Sequence, residues 1–210
     1  MKDNFGLLET LDRLFAGDPQ SRLSLDGFLA GLEGRSYAFA IAALNLPNCI
    51  PTGIPWLSTI TGLPMIFLLM QFFAGRPVPS LPSYIGRRGL PRGKLQRFLE
   101  RARSRIQWLE NTVHARREWL VSGLPRRLLL AAWTLDVVIM ALPIPFDNLF
   151  PAWAILFFCL ALIEDDGTMA VLGWVMTVVT IAWTAFLLLL GHAAIMAALA
   201  AFRHTVANDL

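Results

Sequence analysis

Three long stretches of this chain carry almost no charge, and they limit its fold more than any other feature. Ser36 to Gly75 runs for 40 residues without an Asp, Glu, Lys or Arg. Leu128 to Ile163 runs for 36 residues with only Asp136 and Asp147, and Thr168 to Phe202 runs for 35 with none. A helix needs about 20 apolar residues to cross the hydrocarbon of a bilayer. A soluble core does not call for three such runs, which together fill just over half of the 210 residues. Composition points the same way. The chain is 56% apolar and 16% charged, against about 45–50% and about 25% in soluble domains. That excludes a soluble enzyme, a disordered chain and a secreted disulfide scaffold. Cys49 and Cys159, the two cysteines, both lie in apolar stretches and are too few for a framework.

The charges are concentrated elsewhere. Thirteen of the 18 basic residues lie between Arg76 and Arg127, with only Glu100, Glu110 and Glu118 beside them, so this segment is +10 and the remainder −7. An Arg-rich loop beside apolar spans belongs on the cytoplasmic side. Within it, Leu95, Leu99, Ala102, Ile106, Leu109, Val113 and Leu120 form one helical stripe, and Arg97, Glu100, Arg101 and Arg105 occupy the other face. Such a helix can lie in the interface with its arginines on anionic head groups. Nothing beside the basic run suggests a nucleic-acid fold. Residues 1–17 do not read as a signal peptide, because acids are scattered through them. Phe5, Leu7, Leu8, Leu11, Leu14 and Phe15 fall at helical spacing. They predict an amphipathic helix, lying on the membrane surface or packed on a neighbour.

Proline breaks the first two apolar runs. Pro47, Pro51, Pro55 and Pro64 fall in one, and Pro143, Pro145 and Pro151 in the other. Proline removes a backbone donor, and in lipid each freed carbonyl must find another partner. Two half-length helices meeting at a protected break fit better than one exposed helix. Pro47 and Pro55 map onto Pro143 and Pro151 at a common offset of 96 residues, as Leu46 does onto Leu142. Upstream, Gly31-Leu-Glu-Gly-Arg35 echoes Gly123-Leu-Pro-Arg-Arg127. This is a degenerate internal repeat. Paired broken segments in two halves point to a membrane binding site. Half-helix N-termini there suit an anion.

The expected organisation is therefore all-α: a polytopic helical membrane protein with proline-broken or re-entrant half-helices in two repeat-like halves. Residues 1–30 form the N-terminal amphipathic segment and 31–76 the first membrane unit. The basic loop and helix occupy 77–127, the second membrane unit 128–167, and a transmembrane helix with a terminal helix 168–210. Gly191 is expected to end the spanning helix.

The candidate site residues follow from depth. Ionisable groups inside a span are costly and face the protein interior or water. Asp147, beside Asn148 and between two breaks, is the first candidate for a functional carboxylate or proton carrier; the bland alternative is a helix N-cap. Asp136 is the second, and pairing with Arg127 or Arg35 is an alternative for it. Asn48 and Gln71 are uncharged counterparts in the first half, and Glu164 and Asp165 are an acidic turn or pathway mouth. The three His residues suggest no metal site, no cofactor motif is present, and no catalytic constellation appears.

These residues resemble the ExoD family of bacterial membrane proteins. The resemblance is carried by Gly31…Arg35-Ser-Tyr37, Leu46-Pro47-Asn48, Ile50-Pro51, Pro55, Gly62-Leu-Pro64 and Gln71…Gly75-Arg76. Leu142-Pro-Ile-Pro145, Asn148…Pro151-Ala152 and Glu164-Asp-Asp-Gly167 extend it, over roughly residues 24–190. It implies an inner-membrane protein of exopolysaccharide and envelope physiology, associated with tolerance of alkaline conditions; it supplies no catalytic residues. The expected function is a small transporter or translocase, moving either a lipid phosphate or lipid-linked saccharide precursor, held with help from Arg35, Arg76 or Arg127, or protons or cations through Asp147 or Asp136. The alternative is a scaffold or regulator of exopolysaccharide synthesis. Membrane lipids are the expected partners, and the small chain suits a homodimer.

Overall fold

The computed structural model describes residues 7–50, 54, 56–112, 117–142, 144 and 147–208. Pro51, Pro55, Pro143, Pro145 and Val113 lie outside them. The described chain is mostly helical. It runs α1 (Leu7–Phe15), β1 (Arg22–Ser24), α2 (Leu25–Gly31), α3 (Ser36–Asn45), α4 (Leu57–Phe73), α5 (Ser83–Gly86), β2 (Gly89–Pro91), α6 (Arg92–Thr112), α7 (Gly123–Ala141), α8 (Leu149–Glu164) and α9 (Gly167–Asn208). A 3-10 turn, Leu46–Cys49, follows α3.

Two helix hairpins make the body. In the first, α3 and α4 are antiparallel, and the ring of Tyr37 at the start of α3 meets Phe72 at the end of α4, 5.3 Å between centroids. The second is α7 with α8. The hairpins then cross-pack: α3 lies on α8 and α4 on α7, a pairing unchanged when the two units are exchanged. Gly62 allows the second of these contacts. A Cβ there would sit 2.8 Å from Ala141 Cβ, so the helix backbones approach where a side chain would hold them apart. Pro64 lies inside α4 without ending it.

Helix α8 is the centre. Ala152, Ala154, Ile155, Phe158, Cys159 and Ala161 are all fully buried. Against it, α9 runs antiparallel, with Phe158 on Trp174 and Phe150 on Trp183. Gly173 opens the space for Phe158, since a Cβ there would meet the ring at 2.5 Å. Outward, α4 shows Ile60, Leu63, Phe67 and Met70, and α9 shows Val171, Val175, Val178 and Ile181. These spacings are helical stripes. Among the described residues one helix is long and apolar enough to cross a membrane, at Gly167–Ala193 with mean hydropathy 2.0.

A smaller unit sits beside the body. Here α1 packs antiparallel on α6, burying Leu11, Phe15 and Leu99. Arg103 reaches Asp12 with Nη2 at 2.7 and 2.9 Å from its two oxygens. Nearer the other end, Arg92 donates to the carbonyls of Leu14 and Ala16, and Gln96 to those of Phe15 and Gly17. The last two carbonyls of α1, which have no intrahelical partner, and the two that follow them are thereby satisfied. Of the two settings expected for the N-terminal helix, packing on a neighbour is the one observed.

One expectation is corrected. Gly191 does not end the last helix: α9 continues through it to Asn208. The residue costs about 1 kcal/mol relative to Ala, too little to stop a helix in so helix-favouring a run. The fold is all-α apart from one short strand pair. Arg22–Ser24 pairs antiparallel with Gly89–Pro91, Leu23 opposite Leu90. The partners lie more than sixty residues apart in sequence, so no hairpin signal announces them.

Candidate functional site

The two breaks come together. At the end of α3, buried Asn45 donates from Nδ2 to the carbonyl of Ala152, in the first turn of α8, at 2.7 Å. Cys49 Sγ lies 3.8 Å from the same carbonyl. Asn48 donates to Thr61 Oγ1 at 2.9 Å, and Thr61 in turn donates to the Leu57 carbonyl. The first break is thus tied both to its own following helix and to the start of the opposite one. Trp56, which precedes α4, is in the left-handed region at φ 65°, a strained place for a bulky residue. At the second break, Asn148 holds the N-cap position of α8 without a side-chain capping bond. Pro47 lies in the turn after α3, and Pro151 in the first turn of α8, where a missing N–H costs nothing.

The two acids lie on a third element. Asp147 is buried, and its carboxylate is turned to α9 rather than capping α8: Thr184 Oγ1 stands 3.0 and 2.9 Å from its oxygens. Asp136 is fully buried on α7, with Thr177 Oγ1 at 2.7 Å. Thr180, also fully buried, faces the same carboxyl. Thr177, Thr180 and Thr184 fall at i, i+3 and i+7, one stripe of α9. Along it the two carboxyls are separated by about 10 Å at 1.5 Å per residue. Neither pairs with an arginine among the described residues, so the expected Asp136 pairing with Arg127 or Arg35 is not formed. The reason is position. Arg35 precedes α3 and Arg127 is in the first turn of α7, each at the end of its hairpin away from the break.

The remaining candidates serve local structure. Gln71 binds Ser80 twice, through Nε2 to its carbonyl and Oε1 from its amide, at 3.0 and 2.7 Å. This pins the chain that leaves α4. Asp165 ends α8 in the left-handed conformation, and Asp166 accepts from the Thr168 amide at 2.6 Å, starting α9. Glu164 closes α8 just before them. On α6, Arg97 and Arg101 are exposed with Lys94, Phe98 and Trp108; the side chain of Arg105 lies outside the described ones. No group of three or more metal-ligating side chains occurs among the described residues.

The reading of the sequence found both acids but missed the residues that face them. The threonine stripe had a signal, since hydroxyls at helical spacing are rare in so apolar a run. Asn45 had a weaker one, as the amide immediately before the break.

Comparison with known proteins finds relatives over most of the chain. A family model described as "Exopolysaccharide synthesis, ExoD" matches residues 7–186. The chain is 29% identical over 196 residues to Protein ExoD of Rhizobium meliloti (strain 1021), covering 91% of this chain and 80% of that one. It is 26% identical over 171 residues to an uncharacterized protein of Synechocystis sp., covering 81% of each. No solved structure matches it.

Proposed function

This chain belongs to the ExoD family of exopolysaccharide-synthesis proteins, and on that premise we propose that it is a small multi-pass transporter of the bacterial inner membrane, moving protons or cations. One observation carries the reading. Two buried carboxyls, one of them at a helix break, face a single threonine stripe of the apolar helix α9. Ionisable groups at membrane depth mark ion and proton pathways, and broken helices in paired halves mark transport sites.

The surface supports the membrane setting. Apolar stripes on α4 and α9 face outward while Asn45, Asn48, Gln71, Asp136, Asp147 and three threonines are buried. A water-soluble fold has the reverse arrangement.

The lipid-phosphate variant is less favoured. Its cations, Arg35, Arg76 and Arg127, follow or precede the helix ends opposite the breaks. Proteoliposomes with an internal pH dye test the reading. Wild type should dissipate an imposed pH gradient, and Asp147→Asn should abolish that flux. Full flux with a flat pH profile in Asp147→Asn removes the role.

A second reading, a scaffold or regulator of exopolysaccharide synthesis, is favoured by the outer face of α6. Lys94, Arg97 and Arg101 alternate there with exposed Phe98 and Trp108. That face also suits anionic head groups. Charge reversal at Arg97 and Arg101 separates the cases: loss of a co-purifying synthase, with no flux in any variant, selects the scaffold.

A further inference from the structure

We infer that Asp136 is a proton-holding site: its carboxyl is kept neutral and donates to Thr177. Three oxygens stand in a row: Asp136 Oδ2, Thr177 Oγ1 2.7 Å away, and the Gly173 carbonyl oxygen 3.0 Å beyond. Two full hydrogen bonds need two protons. Thr177 has one, and the carbonyl has none. An ionised Asp136 supplies none either, so the one hydroxyl proton would be shared between two acceptors in a weaker three-centre bond. A proton on Oδ2 completes the row, donated to Thr177 while Thr177 donates to Gly173.

A second observation agrees. Asp136 Oδ1 is fully buried, and the hydroxyl of Thr180 is the group that faces it. A bare carboxylate held by hydroxyls alone, with no cation, is far more costly to bury than a neutral acid. The surroundings supply no compensating charge. Asp136 faces Thr177 and Thr180 from α9, and Trp133 on its own helix is fully buried, as is Cys159 on α8. Among the described residues none of the groups packed there is cationic.

The role follows from level. Asp136 lies about two turns farther from the break along α9 than Asp147, so Asp147 is the carboxyl at the break and Asp136 the store behind it. Passage of a proton between them spans about 10 Å and can begin only after Asp136 has released the proton it holds. The transport step rests on the proposed function; the protonation itself does not.

Infrared spectroscopy of the full-length protein in lipid nanodiscs at neutral pH tests it. The carbonyl stretch of a neutral carboxylic acid should be present in wild type, reduced in Asp136→Asn, and moved to higher frequency in Thr177→Val, where the acid loses its acceptor. Thr177→Val guards against misfolding of the Asp136 variant, since it keeps the carboxyl. A spectrum unchanged by both substitutions overturns the inference. So does an acid band that appears only when sodium is withdrawn, which would make sodium the occupant. The acid band without flux in proteoliposomes sustains the inference and removes the transport reading. Flux without the band removes the inference alone.

Discussion

The two hairpins share a plan, helix, proline break, helix, yet they are not equivalent in the molecule. In the second, α8 is enclosed on nearly all sides. In the first, α4 leaves Ile60, Leu63, Phe67 and Met70 exposed. The difference is α9. It packs along α8 and supplies hydroxyls to the two carboxyls of the second hairpin, and among the described residues no such helix covers α4. The polar chemistry divides the same way. The first break carries amides, Asn45 and Asn48, that bind carbonyl and hydroxyl groups and fix geometry. The second carries Asp147, whose charge can change. The hairpins thus share a frame, and one unrepeated helix sets the buried acids of the second apart from the amides of the first.

The sharpest way to break this comparison is to truncate one side chain in each hairpin. Phe158→Ala removes a fully buried ring and should cost about 3–5 kcal/mol, read by denaturant or heat unfolding in micelles. Phe67→Ala, on the outward face of α4, should cost far less. Equal losses would show that α4 is covered as α8 is. Next come the two glycines that set close approach. Gly173→Val drives a side chain into the Phe158 ring, and Gly62→Val separates α4 from α7. Overpacking of this kind costs about 1–3 kcal/mol. If only Gly173→Val is destabilising, the first hairpin adapts and the second does not.

The amides give a finer test. Asn45→Leu breaks a buried bond between the hairpins, although the Ala152 carbonyl keeps its donor within α8, and Asn48→Leu leaves Thr61 still bonded to Leu57. Each should cost the ordinary worth of one hydrogen bond, about 0.5–1.5 kcal/mol. The order of the two, measured in the same unfolding assay, reports whether the tie between the hairpins outweighs the tie within one.

Much of this frame was legible in the sequence, for identifiable reasons. Prolines cluster where the helices stop, between α3 and α4 and between α7 and α8, because a missing N–H acts locally, although Pro55 and Pro143 of the offset pairs lie outside the described residues. Asp136 and Asp147 stand out because no other acid lies in their run. The N-terminal and basic helices announce themselves by a 3.6-residue period. What the sequence could not give was orientation. Whether Asp147 caps α8 or turns to α9 depends on a helix that starts twenty residues later. The β1–β2 pairing and the placing of Arg35 away from the breaks are likewise products of packing, not of any local pattern. Gly191 misled because its cost is real but small, and the residues around it outweigh it.

The smallest effect expected lies in the peripheral unit, where it separates two kinds of polar contact. The Arg103–Asp12 pair has side chains 48% and 42% exposed. An ion pair so open to water contributes about 0–1 kcal/mol and weakens with salt. Asp12→Asn should therefore barely loosen α1 from α6. Arg92 and Gln96 act differently. They occupy carbonyls at the end of α1 that have no other donor in the helix, and Arg92 adds a cation where the helix dipole favours one. Arg92→Ala should accordingly expose the link after Phe15 to limited proteolysis more than Asp12→Asn does, at low and high salt alike. The opposite order, or a difference that vanishes in salt, would make the ion pair rather than the cap the fastening of α1.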